Sequence, residues 1–299
     1  MIMKKYFLLI LLFFFFSGCG LYSSPQPINT NHSEILASPT PFAKETRHPE
    51  VLNSSLVILK DMENFTKYLP TLMFHHINNT SANDPNKVEY NLSYSPEKFE
   101  QFLMFFQENH IETLTFWDLK GILEGKRSFP ERYVMLTFDD GFEDQYLNAF
   151  PLLKKYHMKG VFFIISNRPG NDHDYATWKQ IQEMAEDGQE IASHSVTHPD
   201  LSVLPDQKLA DEIQKSKKTI EFYTEKPVIS FCYPSGEYNE KVVKMTKEHY
   251  LFARTTKKGK YFSVANRYEM PMIRISPTTE LPSLSSWLQK SNFQSSPSS

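Results

Sequence analysis

The sequence predicts an α/β fold, a distorted (β/α) barrel of seven or eight strands. Short apolar runs, several rich in β-branched or aromatic residues, alternate along the chain with stretches of helical periodicity. This alternation favours a parallel sheet covered by helices, and seven or eight strands are enough for such a sheet to close on itself. The predicted strands are residues 69–74, 111–115, 133–138, 160–165, 189–193, 228–233, 250–254 and 271–275.

Cap residues mark where several of the intervening helices begin. Ser95 is suited to cap a helix whose first residue is Pro96, and an apolar stripe follows this pair. Thr115 and Asp118 have the spacing of a capping box, and Asn239 is suited to cap a later helix. These signals separate the predicted strands and support the alternating order of the barrel.

Composition excludes several classes of protein. The 299 residues carry 32 Lys and Arg against 35 Asp and Glu, a formal charge of -3. A balance this close to neutral excludes a globally basic nucleic-acid binder, so no nucleic-acid partner is expected. Two cysteines exclude a disulfide-rich scaffold and a four-cysteine zinc site. Hydrophobic residues make up 40% of the chain, which is enough for most of it to fold as a globule.

Residues 1–18 are predicted to be a lipoprotein signal peptide. After a short basic start, residues 6–16 form an uninterrupted apolar run that is too short to cross a bilayer. Residues 16–19 (Phe-Ser-Gly-Cys) resemble a bacterial lipobox, so we expect cleavage that leaves Cys19 lipid-modified. The alternative is an ordinary secretory signal with an incidental cysteine. We expect an exported protein, anchored by lipid to a bacterial membrane at the cell surface or the periplasmic face.

The rest of the chain divides into a tether, a folded domain and a tail. Residues 19–66 are rich in Ser, Pro, Asn and Thr and are predicted to be a flexible tether. Residues 67–290 contain the predicted strands and form the folded domain. Residues 291–299 are again rich in Ser and Pro and are predicted to be a disordered tail.

Two adjacent carboxylates follow the predicted strand at residues 133–138. Asp139 and Asp140 stand at the carboxyl end of this strand and precede Gly141. Because like charges repel, at least one of the two acids needs a cationic partner, a bound metal or a proton. The alternative is a polar turn in which the glycine supplies an unusual backbone angle.

A pair of histidines follows another predicted strand end. His194 and His198 are four residues apart, and on one helical turn this spacing would direct both imidazoles to one point. With a carboxylate from the acidic pair they make a set that leaves positions open for water and substrate. Such a set predicts a catalytic divalent metal, with zinc as the default and iron, cobalt or nickel as alternatives. Two surface histidines in a loop are the competing interpretation.

These residues resemble the first two motifs of a known family. Residues 137–141 (Thr-Phe-Asp-Asp-Gly) and 194–199 (His-Ser-Val-Thr-His-Pro) are similar to those of the polysaccharide deacetylase family, the NodB-type domains of carbohydrate esterase family 4. The resemblance covers about residues 69–276 and assigns the folded domain at residues 67–290 to this family. It is nearest to the poly-β-1,6-N-acetylglucosamine deacetylase-like branch.

The resemblance implies a role for each motif residue. Asp139 would be the general base, whereas Asp140, His194 and His198 would hold the metal. A third motif would lie at residues 231–236, where the resemblance gives the oxyanion-binding backbone N–H to Ser235. Four residues are expected to bind substrate, namely Trp178, Tyr233, Pro234 and Arg274. Trp178 has a competing interpretation as a residue that packs its helix onto the barrel.

Two departures from the family pattern concern the base and the acid. Cys232 stands where the family usually has an arginine that orients the base. The late histidine that usually serves as general acid is missing from residues 270–276. His75, at the end of the first predicted barrel strand, is a candidate for this proton donor. The alternatives are that His75 only caps the core and that Asp139 itself carries the proton to the leaving amine.

Three functions are compatible with these residues. The first is a membrane-tethered, metal-dependent hydrolase that removes N-acetyl groups from a polysaccharide containing N-acetylglucosamine. The second is a catalytically degenerate, carbohydrate-binding lipoprotein, which the altered third motif and the missing histidine favour. The third is an O-deacetylase of the same architecture. The expected partners are an N-acetylated polysaccharide and a membrane.

Overall fold

The computed structural model describes residues 64–83 and 85–289. The predicted signal peptide, the lipidation site at Cys19, nearly all of the tether and the tail at residues 291–299 lie outside these residues, so they remain predictions. Among the residues that the structure describes, no helix combines the length and the apolar character needed to cross a membrane.

The described residues form twelve strands and eight α-helices. The strands are β1 (Thr66–Tyr68), β2 (Thr71–Phe74), β3 (His76–Ile77), β4 (Ser93–Tyr94), β5 (Glu112–Thr113), β6 (Tyr133–Phe138), β7 (Val161–Ile164), β8 (Glu190–Ser193), β9 (Ser230–Cys232), β10 (Phe252–Lys258), β11 (Tyr261–Ser263) and β12 (Met270–Arg274). The helices are α1 (Lys87–Leu92), α2 (Pro96–Glu108), α3 (Phe116–Leu123), α4 (Phe150–Lys155), α5 (Trp178–Glu186), α6 (Asp206–Thr224), α7 (Glu240–Lys247) and α8 (Leu281–Gln289).

Seven parallel strands close into a barrel. The order is β2-β12-β10-β9-β8-β7-β6, and β2 pairs with β6 to complete the circle. β5 adds an eighth parallel strand beside β6. Two short pairs lie apart from this sheet: β1 runs antiparallel to β11, and β3 runs parallel to β4. All eight predicted strands overlap a strand of this sheet, so the predicted barrel is confirmed.

Alternation along each strand separates two apolar cores. Side chains of neighbouring residues point to opposite faces of a sheet, so alternate positions share a face. Val134 and Leu136 of β6 belong to the cluster that includes the apolar faces of most of the helices, α3 excepted. Met135 belongs to a second cluster with Phe163 and Phe252 from other strands, which fills the inside of the barrel. This parity decides which residues can reach the mouth of the barrel.

The predicted helix starts are confirmed by their caps. The Ser95 side chain accepts a hydrogen bond from the Lys98 N–H at the start of α2. Thr115 and Asp118 form the reciprocal capping box of α3, and the Asn239 side chain caps α7. Because each cap satisfies N–H groups that would otherwise lack a partner, it fixes where the chain turns from loop into helix.

Candidate active site

The candidate site lies where several barrel strands reach their carboxyl ends. Asp139 directly follows β6, four positions after Met135, which points into the barrel. His194 directly follows β8, two positions after the inward-pointing Ala192. Because alternate residues of a strand share a face, both side chains are on the inner side. Arg254, on β10, has the same inward parity. The three side chains therefore converge at the mouth of the barrel, the region where barrels of this kind carry their chemistry.

Asp140, His194 and His198 form a cluster that could hold a metal ion. One ligand atom from each residue lies within 4.8 Å of the other two. The distance to Asp140 Oδ1 is 3.4 Å from His194 Nε2 and 3.6 Å from His198 Nε2. His194 Nδ1 lies 2.8 Å from the Cys232 carbonyl oxygen, and as donor to it would leave Nε2 for a metal. Two imidazoles and a carboxylate suit zinc and similar divalent cations.

The two histidines converge through turns, so the expectation of one helical turn is wrong. Residues 194–198 form a loop in which Ser195 (φ 66°) and His198 (φ 61°) have left-handed backbone angles. The Ser195 hydroxyl accepts a hydrogen bond of 2.9 Å from the His198 N–H. Because positive φ angles break the helical path, the four-residue spacing works here by a different geometry from the one predicted.

Charge within the cluster favours ionised Asp140. Burial raises the pKa of Asp140, but the hydrogen bond and charge of His194 outweigh burial and hold the pKa below its usual range. Burial lowers the pKa of His194, but Cys232 and Asp140 together raise it well above its ordinary value. Burial and the neighbouring His194 lower the pKa of His198.

Asp139 is buried beside an arginine that the sequence analysis did not identify. Arg254 is fully buried and its Nη2 donates to Asp139 Oδ1. Burial raises the pKa of Asp139, but the guanidinium outweighs burial, so the pKa lies below its usual range and the carboxylate is ionised at neutral pH. Cys232 Sγ lies 3.1 Å from the same Nη2. The sequence contained a signal for this residue. Arg254 is the last residue of a predicted strand, two positions after the inward-pointing Phe252, so its side chain could be expected inside the barrel.

A second group of ligand types is less suited to a cation. Asp139, His194 and Cys232 also place one ligand atom each within 4.8 Å of one another. Arg254 already contacts both Asp139 and Cys232. Its positive charge repels a metal ion, so the cluster around Asp140 is the better metal site.

His75 lies beside Asp139, as predicted for a residue of the mouth. His75 Nε2 is 4.0 Å from Asp139 Oδ2, and 14% of its side chain is exposed. Burial lowers its pKa more than the acids raise it, so the imidazole is neutral at neutral pH. Gln145, in a π-helical turn at Gln145–Ala149, donates 2.8 Å to the His75 carbonyl and 2.5 Å to the Asp139 carbonyl. One side chain thus joins the ends of the two strands.

In the third motif, residues 231–236, Ser235 is at the surface, whereas the ring of Tyr233 is buried. Tyr233 has no exposed surface and its hydroxyl donates to the Tyr268 carbonyl at 3.0 Å, so its prediction as a substrate-binding side chain is wrong. Pro234 is also buried, which is unfavourable to direct substrate contact. Ser235 is exposed and has a left-handed backbone (φ 54°, ψ 3°). A Cβ on Gly236 would lie 2.0 Å from Thr256 Oγ1, so only glycine fits beside β10.

The other predicted substrate residues divide between packing and the rim. Trp178 stacks on Tyr223 of α6 with ring centroids 4.1 Å apart, so it packs two helices together and is not a free wall of the mouth. Arg274 is exposed at the end of β12, and its charge helps to lower the pKa of His75. The aromatic residues beside the acidic pair are Phe142 and Tyr175, whose rings lie 4.9 Å apart.

Comparison with known proteins places this chain in one family. The family model described as polysaccharide deacetylase matches residues 126–251. The Bacillus subtilis protein named "Putative polysaccharide deacetylase YxkH" is 34% identical over 212 residues, which cover 70% of this chain and 72% of that protein. The chain therefore belongs to the polysaccharide deacetylase family, a family of hydrolases, as the motifs predicted.

Two further proteins are similar to this chain, one in sequence and one in structure. The poly-β-1,6-N-acetyl-D-glucosamine N-deacetylase of Staphylococcus epidermidis is 29% identical over 203 residues, which cover 62% of this chain and 69% of that protein. The Streptococcus pyogenes deacetylase PplD, solved in complex with acetate, is similar with a TM-score of 0.68 and 29% identity. That similarity covers 74% of this chain and 97% of PplD.

Proposed function

We propose that this chain is a metal-dependent hydrolase that removes N-acetyl groups from a polysaccharide containing N-acetylglucosamine. The observation that carries the proposal is the Asp140, His194 and His198 cluster beside the buried, ionised Asp139. The name of the Staphylococcus epidermidis relative supports the substrate class.

The metal is proposed to be held by Asp140, His194 and His198, with zinc as the default ion. A divalent cation bound there supplies Lewis acidity, which polarises an acetyl carbonyl and makes a water molecule easier to deprotonate. The ionised state of Asp140 supports this assignment, as does the contact of His194 Nδ1 with the Cys232 carbonyl oxygen, which leaves His194 Nε2 on the side of Asp140.

Asp139 is proposed to act as the general base. Its carboxylate is ionised, lies next to the cluster, and is held on one side by Arg254, so it can take a proton from the attacking water. Arg254 thereby serves as the positioning residue that the family pattern places at position 232. The backbone N–H of Ser235 is proposed to stabilise the oxyanion of the tetrahedral intermediate.

Asp139 is also proposed to return the proton to the leaving amine. Water adds its oxygen to the acetyl carbon, the carbon–nitrogen bond breaks, and the nitrogen receives the proton that Asp139 removed. His75 has a lowered pKa and is a weak candidate for the acid, because a neutral imidazole without a proton to spare cannot protonate an amine efficiently. Its position at 4.0 Å from Asp139 suits it to orient the carboxylate or the substrate.

Acetate release from defined substrates tests the proposed activity. We expect the purified protein with zinc, cobalt or nickel to release acetate from N-acetylglucosamine oligomers, and Asp139→Asn to lower the rate by roughly 10²–10⁴-fold. Asp187→Asn, at the end of α5, is the matched control and should leave the rate unchanged. Unchanged activity in both Asp139→Asn and His194→Ala would refute the site. Release only from O-acetylated substrates would identify an O-deacetylase, and binding without turnover would identify a degenerate binder.

We also propose that the protein is exported and anchored to a membrane through lipid on Cys19. The basic start, the apolar run and the Phe-Ser-Gly-Cys segment support this. Cys19→Ser should move the protein from the membrane fraction to the soluble fraction of fractionated cells. Equal membrane association of the two proteins would contradict the lipid anchor.

A further inference from the structure

A carboxylate on α6 holds the loop that carries the two histidines. Glu212 Oε2 accepts hydrogen bonds from the backbone N–H groups of Val196 (2.8 Å) and Thr197 (2.9 Å). Glu212 Oε1 accepts a third hydrogen bond, of 2.7 Å, from the Thr197 hydroxyl. Three donors from the segment between His194 and His198 thus converge on one side chain, and hydrogen bonds to an ionised acceptor are the stronger kind.

The loop has a shape that needs such restraint. Its two left-handed residues, Ser195 and His198, are not glycines, and a left-handed backbone costs roughly 1–2 kcal/mol per non-glycine residue. On the side of β7, the Ser195 and Val196 carbonyls accept hydrogen bonds of 3.1 Å from residues 166 and 167. Glu212 holds the opposite side, so the loop is fastened between a neighbouring loop and α6.

The same helix is fixed to the strand that leads into the loop. The Ser216 hydroxyl lies 2.7 Å from the Ser193 hydroxyl at the end of β8, and Ser216 also bonds the Glu212 carbonyl at 2.8 Å. Because α6 is attached to β8 one helical turn beyond Glu212, the carboxylate stands at a defined height beside His194 and His198. A rigid support at this point fixes the separation of the two imidazoles.

We propose that Glu212 is a positioning residue that sets the metal-binding conformation of the histidine loop. The inference rests on the proposed function only in that it takes Asp140, His194 and His198 as the metal ligands. Glu212 touches neither the metal position nor the substrate. It acts through the backbone N–H groups of Val196 and Thr197, which lie between the two histidines, and so orients the ligands from outside the ligand set.

Metal affinity of three single variants tests this role. Glu212→Ala removes all three acceptors while keeping a residue that favours helix. Glu212→Gln keeps an oxygen for the two backbone N–H groups and an amide for the Thr197 hydroxyl. Asp211→Asn is the matched control, because Asp211 is the adjacent acid of α6 and pairs with Lys215 outside the loop. Each full-length protein is titrated with Zn²⁺ against a competing chelator, and its Co²⁺ absorption spectrum is recorded.

We expect Glu212→Ala to weaken zinc binding by about 10–100-fold, the range typical of such outer residues. Glu212→Gln should recover most of that loss, and Asp211→Asn should match the unsubstituted protein. The Co²⁺ spectrum of Glu212→Ala at saturation should differ from the others, because the two histidines no longer keep their separation. Thermal unfolding of the metal-free proteins should show that all three variants remain folded.

Two outcomes would overturn the inference. Equal zinc affinity in Glu212→Ala and in the unsubstituted protein would show that the loop keeps its shape without the carboxylate. An equal loss in Glu212→Ala and Asp211→Asn would show only a general effect of charge on the helix. If the unsubstituted protein binds zinc but releases no acetate, the deacetylase proposal fails, while the comparison among the variants still decides the role of Glu212.

Discussion

Two buried carboxylates lie in the same barrel, one at its mouth and one at its opposite end, and they have opposite electrostatic properties. Asp139 pairs with Arg254 and has a lowered pKa. Glu190, at the start of β8, is 5% exposed, and the main contacts that lower its pKa are hydrogen bonds. It accepts hydrogen bonds from the Phe116 N–H (2.7 Å), which begins α3, and from the Ser230 hydroxyl (2.6 Å).

The comparison separates two effects on the pKa of a buried carboxylate, that of a neighbouring positive charge and that of hydrogen-bond donors. Burial raises the pKa of Glu190 to about 7, and its hydrogen bonds oppose burial without cancelling it. At Asp139 burial also raises the pKa, but the guanidinium in direct contact, with smaller effects of His75 and His194, lowers it below its usual range. Hydrogen-bond donors alone therefore do not keep a carboxylate ionised inside this barrel. The end that needs a base at neutral pH has the arginine, whereas the other end uses its acid to hold the start of a helix.

Replacement of Arg254 should have the largest effect, because it removes the charge that distinguishes Asp139 from Glu190. Arg254→Met leaves Asp139 buried without its guanidinium partner, which should cost about 3–5 kcal/mol of unfolding free energy and raise the pKa of Asp139. Because a protonated acid is no base, we expect acetate release at neutral pH to fall by roughly 10²-fold or more. Denaturant unfolding and kcat/KM measure the two effects.

Arg254→Lys is the control for this variant. It keeps the positive charge and should restore part of both the stability and the rate, although a lysine cannot reproduce the planar guanidinium contact. If Arg254→Met kept the rate of the unsubstituted protein, the role assigned to the ion pair would be wrong.

Replacement of Glu190 should change how stability depends on pH. Between pH 4.5 and about 7 the unfolded chain has lost the Glu190 proton while the folded chain keeps it, so the free energy of unfolding falls as pH rises. The full loss is about 3 kcal/mol. Glu190→Gln cannot ionise, so its stability relative to the unsubstituted protein should increase by about that amount from pH 5 to pH 8. Urea denaturation at both pH values measures it.

Glu186→Gln on the exposed side of α5 serves as the control for Glu190→Gln. Its stability relative to the unsubstituted protein should be the same at both pH values. A constant difference for Glu190→Gln as well would contradict the raised pKa of Glu190.

Replacement of Cys232 should have the smallest effect. Its sulfur contacts the Arg254 Nη2 at 3.1 Å, beside the ion pair with Asp139. Cys232→Ser keeps a polar atom there, so we expect a change in unfolding free energy of about 1 kcal/mol or less and a kcat/KM within about threefold. A loss as large as that of Arg254→Met would show that the thiol, and not the arginine alone, controls Asp139.

The sequence was sufficient to predict the barrel because most of its strands lie within short apolar runs that alternate with helical patterns. All eight predicted strands were found, and residues 133–138 match β6 at both ends. The short strands β1, β3, β4 and β11 were missed, because two or three residues are too few to show a period. The caps Ser95, Thr115 and Asn239 were predicted from local chemistry alone, since a cap depends on residues next to it in sequence.

The candidate site was harder to predict wherever it depends on contacts distant in sequence. Asp139, Asp140, His194 and His198 were found because strand ends of a barrel meet. Arg254 was missed, since its link to Asp139 crosses 115 positions and depends on inward parity.

Local sequence patterns also gave wrong predictions where a contact with a residue distant in sequence decides the position of the side chain. Trp178 and Tyr233 were assigned to substrate from motif positions, but Trp178 stacks on Tyr223 between two helices and Tyr233 is buried with its hydroxyl on the Tyr268 carbonyl. The spacing of His194 and His198 suggested a helix, and the loop braced by α6 replaced it. In each case a partner far along the chain decided the outcome.

The closure of the barrel has a consequence for the order in which the chain assembles. β2 is the first barrel strand along the chain, and it pairs on one side with β6 and on the other with β12, the last. Until residues 270–274 are available for pairing, one edge of β2 has no partner strand, and an unpaired edge invites association between chains. Closure of the barrel is therefore a late step of folding. A factor that covers the free edge of β2 until that step would favour correct folding over association between chains.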